Sequence, residues 1–214
     1  LRDRLGHEKD TLGLYLTGHP IDQYRSELKH LVSSRIIDLK PERRVPQKIA
    51  GLVVAMRVMK TKKGDTMAFV TLDDRSGRIE VAVFSDAYSE FREKLVKDEL
   101  LLITGEVSED NYTEAGGLKV RAESVMSLDD ARMQSARSIG IQVDSSVINI
   151  KTSVQLGKVL TPYQEGNCVV KIDYQNGYGK ARYTLGRTWR VEPRDELIEQ
   201  LKEMFGSDKV QLQY

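Results

Sequence analysis

Between residues 47 and 127, apolar side chains recur at every second position in short runs separated by turn-forming residues. The alternation is cleanest over residues 66–73 and 78–84. It puts Ala68, Val70, Leu72, Ile79, Val81 and Val83 on one face, and Phe69, Thr71, Arg78, Glu80 and Phe84 on the other. A further strand is expected over 48–59, ahead of these two, and Arg75-Ser76-Gly77 supplies the tight turn between them. The stretch SDAYSEFREKLVKD then changes period, with Tyr88, Phe91 and Leu95 on one side, and reads as a helix. A fourth strand opens with LLLITGEVS, and a fifth covers about 118–125.

Five strands with a helix between the third and fourth is the order of an OB-fold, a small Greek-key β-barrel. The remaining chain divides around it. Residues 1–33 read as helix, turn, helix: Leu1, Leu5, Leu12, Tyr15 and Leu16 keep helical spacing, and Gly18-His19-Pro20 ends the first helix. Pro20 suits the start of the second, which runs to about Leu31. This hairpin is too small to enclose a core and is expected to complete an upstream domain. Residues 34–46, with Pro41 and Pro46, read as a linker, as do residues 128–136. Residues 137–214 give strand, helix, two strands, helix and strand, with a turn at Asn176–Gly179 and a last helix opened by Pro193 and closed by Gly206. That βαββαβ order suggests a two-layer, ferredoxin-like domain. The expected fold class is thus multidomain α+β: a short helical module, a five-stranded barrel and a small two-layer C-terminal domain.

Charge adds a location. The chain carries 33 basic and 32 acidic side chains, so a wholesale polyanion binder is excluded. Residues 43–63, however, hold seven lysines and arginines and no carboxylate. Arg57, Lys60, Lys62 and Lys63 fall on the first strand and the turn after it, where OB-folds take oligonucleotides. Lysines there could neutralise phosphates. An outward Phe69 could stack on an unpaired base, a contact of roughly 1–3 kcal/mol. Arg78, Lys119 and Arg121 join the candidate set from the third and fifth strands, and Asn111–Gly117 is the expected second binding loop. Phe84 and Tyr112 are weaker stacking candidates that favour packing, and Glu80 on the outward face would repel phosphates. Binding of modest strength and little sequence preference is expected.

Other chemistry finds no support. The single cysteine, Cys168, excludes an internal disulfide and any cysteine-based zinc site, and it fits a reduced, cytoplasmic setting. His7, His19 and His30 lack partners at metal-ligand spacing, and no phosphate-cradling glycine loop or nucleophile elbow is present. No apolar run is long enough to cross a bilayer, so no membrane partner is expected. The absence of an initiating methionine leads us to expect a C-terminal piece of a larger chain.

Two segments are specific enough to suggest a family. EKDTLGLYLTGHP at 8–20 and GLVVAMRVMKTKKGDTMAFVTLDDRSGRIEVAVF at 51–84 resemble the C-terminal portion of the bacterial DNA polymerase III alpha subunit. The similarity continues through DELLLITGEVS, GGLKVRAESVMSLDDAR and GRTWRVEP. The resemblance implies a DNA-directed DNA polymerase whose magnesium-binding carboxylates lie upstream of Leu1, leaving this piece non-catalytic and without a cofactor. It also implies a barrel that engages single-stranded template, and a terminal domain that docks the tau subunit of the clamp loader within the replisome. Met204, Phe205, Val210, Leu212 and Tyr214 are the expected docking residues. The family's C-terminal clamp motif, Q-x-x-L-x-F, reads Lys209, Leu212 and Tyr214 here, which argues against sliding-clamp binding by this tail. The alternative family is the anticodon-binding barrel of class II lysyl- or aspartyl-tRNA synthetases, which Phe69, Asp74, Gly77, Ile79 and Val81 fit loosely.

Overall fold

The computed structural model describes residues 19–42, 44–109, 117–145 and 149–214. The expected first helix and most of the LYLTGHP element lie outside these residues, as does most of the expected 111–117 loop. The chain forms two compact units, Leu1–Ser127 and Leu128–Tyr214.

In the first unit, β1 (Pro46–Lys60), β2 (Thr66–Asp73), β3 (Arg78–Val83), β4 (Leu100–Glu109) and β5 (Leu118–Ser127) close a barrel in the order β1-β2-β3-β5-β4. Every pairing is antiparallel except β3 with β5. The inward set read from alternation is buried, and Ile49, Val53, Leu101, Ile103, Val107, Val120 and Val125 complete the core. β1 serves two partners in succession: Pro46–Leu52 pairs with β4, and Leu52–Lys60 pairs with β2. The handover needs a sharp bend, and Gly51 permits it, since a Cβ there would lie 2.9 Å from Leu72 Cβ. A register shift between Val53 and Ala55 completes the turn-away. Gly105 plays the same part in β4, where a Cβ would meet the Arg121 carbonyl oxygen at 2.2 Å. A short helix, α2 (Ser85–Phe91), joins β3 to β4.

Residues 34–46 do not form the free connector that their prolines suggested. Ile36 and Leu39 insert into the barrel core, around a 3-10 turn at Ile36–Asp38. The β2–β3 turn receives them. Asp74 Oδ1 accepts from the Ser76 N–H at 2.8 Å and the Gly77 N–H at 3.0 Å, while its Oδ2 accepts from the Ile36 N–H at 2.9 Å. Gly77 has to be small here, because a Cβ would lie 3.1 Å from Ile36 Cγ2. Ahead of this segment, a 3-10 turn at Pro20–Tyr24 runs into α1 (Arg25–Leu31). Pro20 starts the turn as its locked φ favours, and His19 caps it: Nδ1 accepts from the Ile21 N–H at 3.3 Å, and Nε2 lies 3.5 Å from Asp73 Oδ1.

The second unit contains α3 (Leu128–Ser135), β6 (Ser138–Asp144), α4 (Ile150–Leu160), β7 (Gln164–Asn176), β8 (Gly179–Thr184), α5 (Asp195–Phe205) and β9 (Val210–Gln213). The βαββαβ order is present, but the sheet runs β8-β7-β6-β9 with β6 and β7 adjacent and parallel. A ferredoxin-like domain would place a strand between that pair, so this topology is a plain βαβ unit flanked by two antiparallel edges. Both longer helices contribute to one core with Ile139, Ile141, Cys168, Val170 and Val191. Burial pushes the Cys168 thiol up to about 11, so it stays protonated and acts as a small apolar side chain.

Residues 128–136, read as a linker, are instead largely helical. Arg132 on α3 is fully buried and reaches Asp195 Oδ1 at 2.7 Å, while Asp129 Oδ1 accepts from the Asp195 N–H at 3.0 Å. A buried guanidinium requires such partners, and the pair fixes the start of α5. Its other end stops at Gly206, whose φ of 105° suits only glycine.

The His19 cap carries a pH dependence with a definite sign. Burial disfavours the imidazolium more than Asp73 and Asp22 favour it, so the folded group titrates below its ordinary value. The unfolded chain therefore takes up the proton first, and this contribution to stability is lost as the pH falls through and below about 6.5. The protection factor of the Ile21 amide, corrected for the intrinsic pH dependence of exchange, is expected to fall over that range, and His19→Ala should flatten the dependence.

Candidate nucleic-acid interface

The outer face of β1, β2, β3 and β5 presents two rows of side chains. Register aligns Ala55, Thr71, Glu80 and Lys119 in one row, and Arg57, Phe69, Ala82 and Arg121 in the next. Directly paired residues share a face, so each row is a contiguous strip across four strands. The Arg57 guanidinium lies over the Phe69 ring, 4.8 Å from its centroid, and its Nη2 is 3.8 Å from Glu80 Oε2. Arg121 lies over Phe84 at 5.4 Å in the same manner. Two phenylalanines, each backed by an arginine, therefore stand on one solvent-facing surface, and such cation–π pairs hold the rings in fixed orientations. Phe84, the weaker stacking candidate from sequence, is exposed and stands on this surface.

Beyond the barrel's closure, β1 and β2 continue as a two-stranded arm ending in the turn at 61–65. The Thr61 N–H donates to the Asp65 carbonyl at 2.7 Å, and Gly64 takes a φ of 93°. Lys60, Lys62 and Lys63 are exposed on this arm, and none is paired with a carboxylate among the described residues. Met56, Val58 and Met59 are exposed beside them, an apolar strip that the sequence reading missed. Its signal was present: the alternation of strand one continues past the point where the barrel core ends.

Of the eight expected residues, Phe69 and the six cations Arg57, Lys60, Lys62, Lys63, Lys119 and Arg121 fall on this arm and its rows, and Arg78 does not. Arg78 sits at the opposite end of β2 and β3, with Nε 2.7 Å from Asp73 Oδ2. Burial alone would raise the Asp73 carboxyl, but the Arg78 hydrogen bond, the Arg75 N–H and His19 outweigh it and hold it below the usual range. Arg78 therefore belongs to the turn network that receives Ile36. At the other end of the chain, Val210 is buried, and Met204, Phe205 and Leu212 are partly buried against their own core. β9 is a paired edge strand, with Leu212 opposite Ile139, and Tyr214 follows it half-buried.

Among the described residues, no group of three or more His, Cys, Asp or Glu could hold a metal ion, and no helix is long and apolar enough to cross a membrane.

These features define a small β-barrel of the oligonucleotide-binding class followed by an α/β domain. Residues 47–128 match the family described as "OB-fold nucleic acid binding domain", and residues 155–206 match "DNA polymerase III subunit alpha, C-terminal domain". Over the whole chain, 46% of residues are identical to the DNA polymerase III subunit alpha of Pseudomonas aeruginosa, and over 98% of the chain 43% are identical to that of Escherichia coli K12. The chain belongs to the DNA polymerase III alpha subunit family. It spans 18% of the length of those curated relatives. A domain of replication protein A from Methanococcus maripaludis aligns with 46% of this chain and 97% of that one, with 17% identity and a TM-score of 0.35. The synthetase alternative is not favoured, because the similarity to polymerase subunits continues through the terminal unit.

Glu80 competes with any incoming phosphate for Arg57. Replacing it by Gln removes that competitor while keeping the shape, so Glu80→Gln should bind oligo-dT more tightly and steepen the log–log salt slope by about 0.7, one further phosphate contact on a single strand. Fluorescence anisotropy at several salt concentrations measures both quantities.

Proposed function

We propose that the barrel binds single-stranded DNA on the face built by Arg57, Phe69, Phe84, Lys119 and Arg121, with Lys60, Lys62 and Lys63 on the arm neutralising phosphates. The observation that carries this reading is the pairing of arginine-backed rings with an adjoining lysine turn that has no carboxylate partners among the described residues. Stacking is tolerant of base identity, and the lysines supply a salt-sensitive, sequence-independent attraction. A protein working along a template of any sequence needs that combination.

On this reading the chain is an accessory region of a DNA-directed DNA polymerase that works in the cytoplasm as part of a replisome. Nucleotidyl transfer, with its magnesium ions, would belong to carboxylates outside this chain. The terminal unit would dock the tau subunit of the clamp loader, and Leu212 and Tyr214 on and after the edge strand β9 are its candidate contacts. The support for tau is family membership together with the half-exposed end of that strand.

Replacing Lys60, Lys62 and Lys63 together by Ala should weaken oligo-dT binding and reduce the salt slope by about 2, near 0.7 for each lost phosphate contact. An unchanged affinity and slope in anisotropy titrations would remove the groove assignment.

For tau, deleting the tail after Gly206 would strip a strand whose Val210 is buried, so point variants are the cleaner test. Leu212→Asp and Tyr214→Ala should lower the affinity for tau in calorimetric titrations while leaving oligo-dT binding as it was. Unaltered tau affinity in both would place that contact elsewhere.

A further inference from the structure

The second unit is electrically divided. Residues 145–191 hold seven basic side chains against two carboxylates, Glu165 and Asp173, whereas residues 192–208 hold six carboxylates against Arg194 and Lys202. The basic part is α4, the β7–β8 hairpin and the 3-10 turn at Arg187–Trp189 that follows β8. The unit's cations are of two kinds. Arg132, Arg182, Arg194 and Lys202 each meet a carboxylate. Lys158, Lys180, Arg187 and Arg190 meet none among the described residues. Exposed aromatic rings alternate with them. Tyr178 at the hairpin tip is 102% exposed, and Tyr183 on β8 is 58% exposed.

These side chains flank one edge of the sheet, with Lys180 and Arg182 on one face of β8 and Tyr183 on the other. Among the described residues β8 is an edge strand, paired with β7 alone, and its other long side is open. The strand leads directly into the turn carrying Arg187 and Arg190, which is seated on the domain by Trp189. The Trp189 indole packs against the core, and its Cη2 lies 3.5 Å from where a Cβ on Gly157 of α4 would stand. From Tyr178 to Thr184 the edge spans roughly 20 Å at strand rise. A sheet edge flanked by exposed cations and uncovered rings suits a flexible polyanion whose monomers each carry a phosphate and a π-face. An acidic peptide would use the charges but would leave Tyr178 and Tyr183 without a defined partner.

We propose that the β8 edge and the Arg187–Arg190 turn form a second surface for single-stranded DNA, separate from the barrel face. Trp189, the only tryptophan in the chain, stands within it as a built-in reporter. The test uses the whole 214-residue chain and an oligo-dT of about 20 nucleotides, longer than a single OB site. Titration should give a saturable, salt-reversible change in Trp189 emission. That change should survive Lys60→Ala, Lys62→Ala and Lys63→Ala combined, and it should be lost in the Lys180→Ala, Arg187→Ala, Arg190→Ala triple variant. Tyr178→Ala guards against a misfolded triple variant, because a fully exposed side chain can be removed without disturbing the core, and it should weaken the response. Unchanged Trp189 emission while anisotropy of labelled oligo-dT reports binding would overturn this surface and leave the barrel assignment standing. An equal emission change with polyglutamate at matched charge would also overturn it, marking the edge as a dock for acidic protein segments.

Discussion

β1 has to satisfy two neighbours, and that requirement shapes everything the barrel does. Its first half closes the barrel against β4, and its second half leaves with β2. Only Leu52 is paired in both directions, so the strand must bend there, and Gly51 supplies the absent Cβ that makes the bend possible. The consequence is functional. Past the bend, side chains on both faces of β1 reach solvent, which is why Arg57 and Lys60 are exposed on a strand whose residues 49–53 are buried core.

The electrostatics of the two units follow a common rule. Where a cation has structural work, it is given a carboxylate: Arg78 with Asp73 at the turn, Arg132 with Asp195 at the start of α5, Arg182 with Asp173 across the hairpin. Where it has none, as at Lys60, Lys62, Lys63, Arg187 and Arg190, no carboxylate among the described residues meets the charge. An unpaired surface cation contributes little to stability, and its availability to an external phosphate is correspondingly high. Arg57 stands between the two cases, held by Phe69 and more loosely by Glu80.

Period-two alternation made the barrel legible, because each inward residue of β2 and β3 is buried by the same physics that spaces it. The lysine cluster was legible because residues 43–63 carry positive charge without a carboxylate. Three things were not. The packing of Ile36 and Leu39 rests on an Asp74 side chain 38 residues away from Ile36, a non-local contact with no periodic signal. The α3 helix is held by a buried arginine, and its sequence, LDDARMQS, has too weak an apolar face to announce it. The adjacency of β6 and β7 is a choice among sheet orders that the same βαββαβ string permits. For the candidate site, the register that puts Arg121 over Phe84 could not be read from either strand alone.

The central claim is that unpaired DNA lies across the outer rows of β1, β2, β3 and β5. Amide chemical-shift mapping of the whole chain with oligo-dT addresses it directly. Within the barrel, the account expects the largest shifts at Ala55–Lys60, Phe69, Thr71, Glu80–Phe84 and Lys119–Arg121, with the Asp73–Arg78 turn unmoved. Barrel shifts concentrated at that turn, or none in the barrel at saturating oligonucleotide, would contradict it.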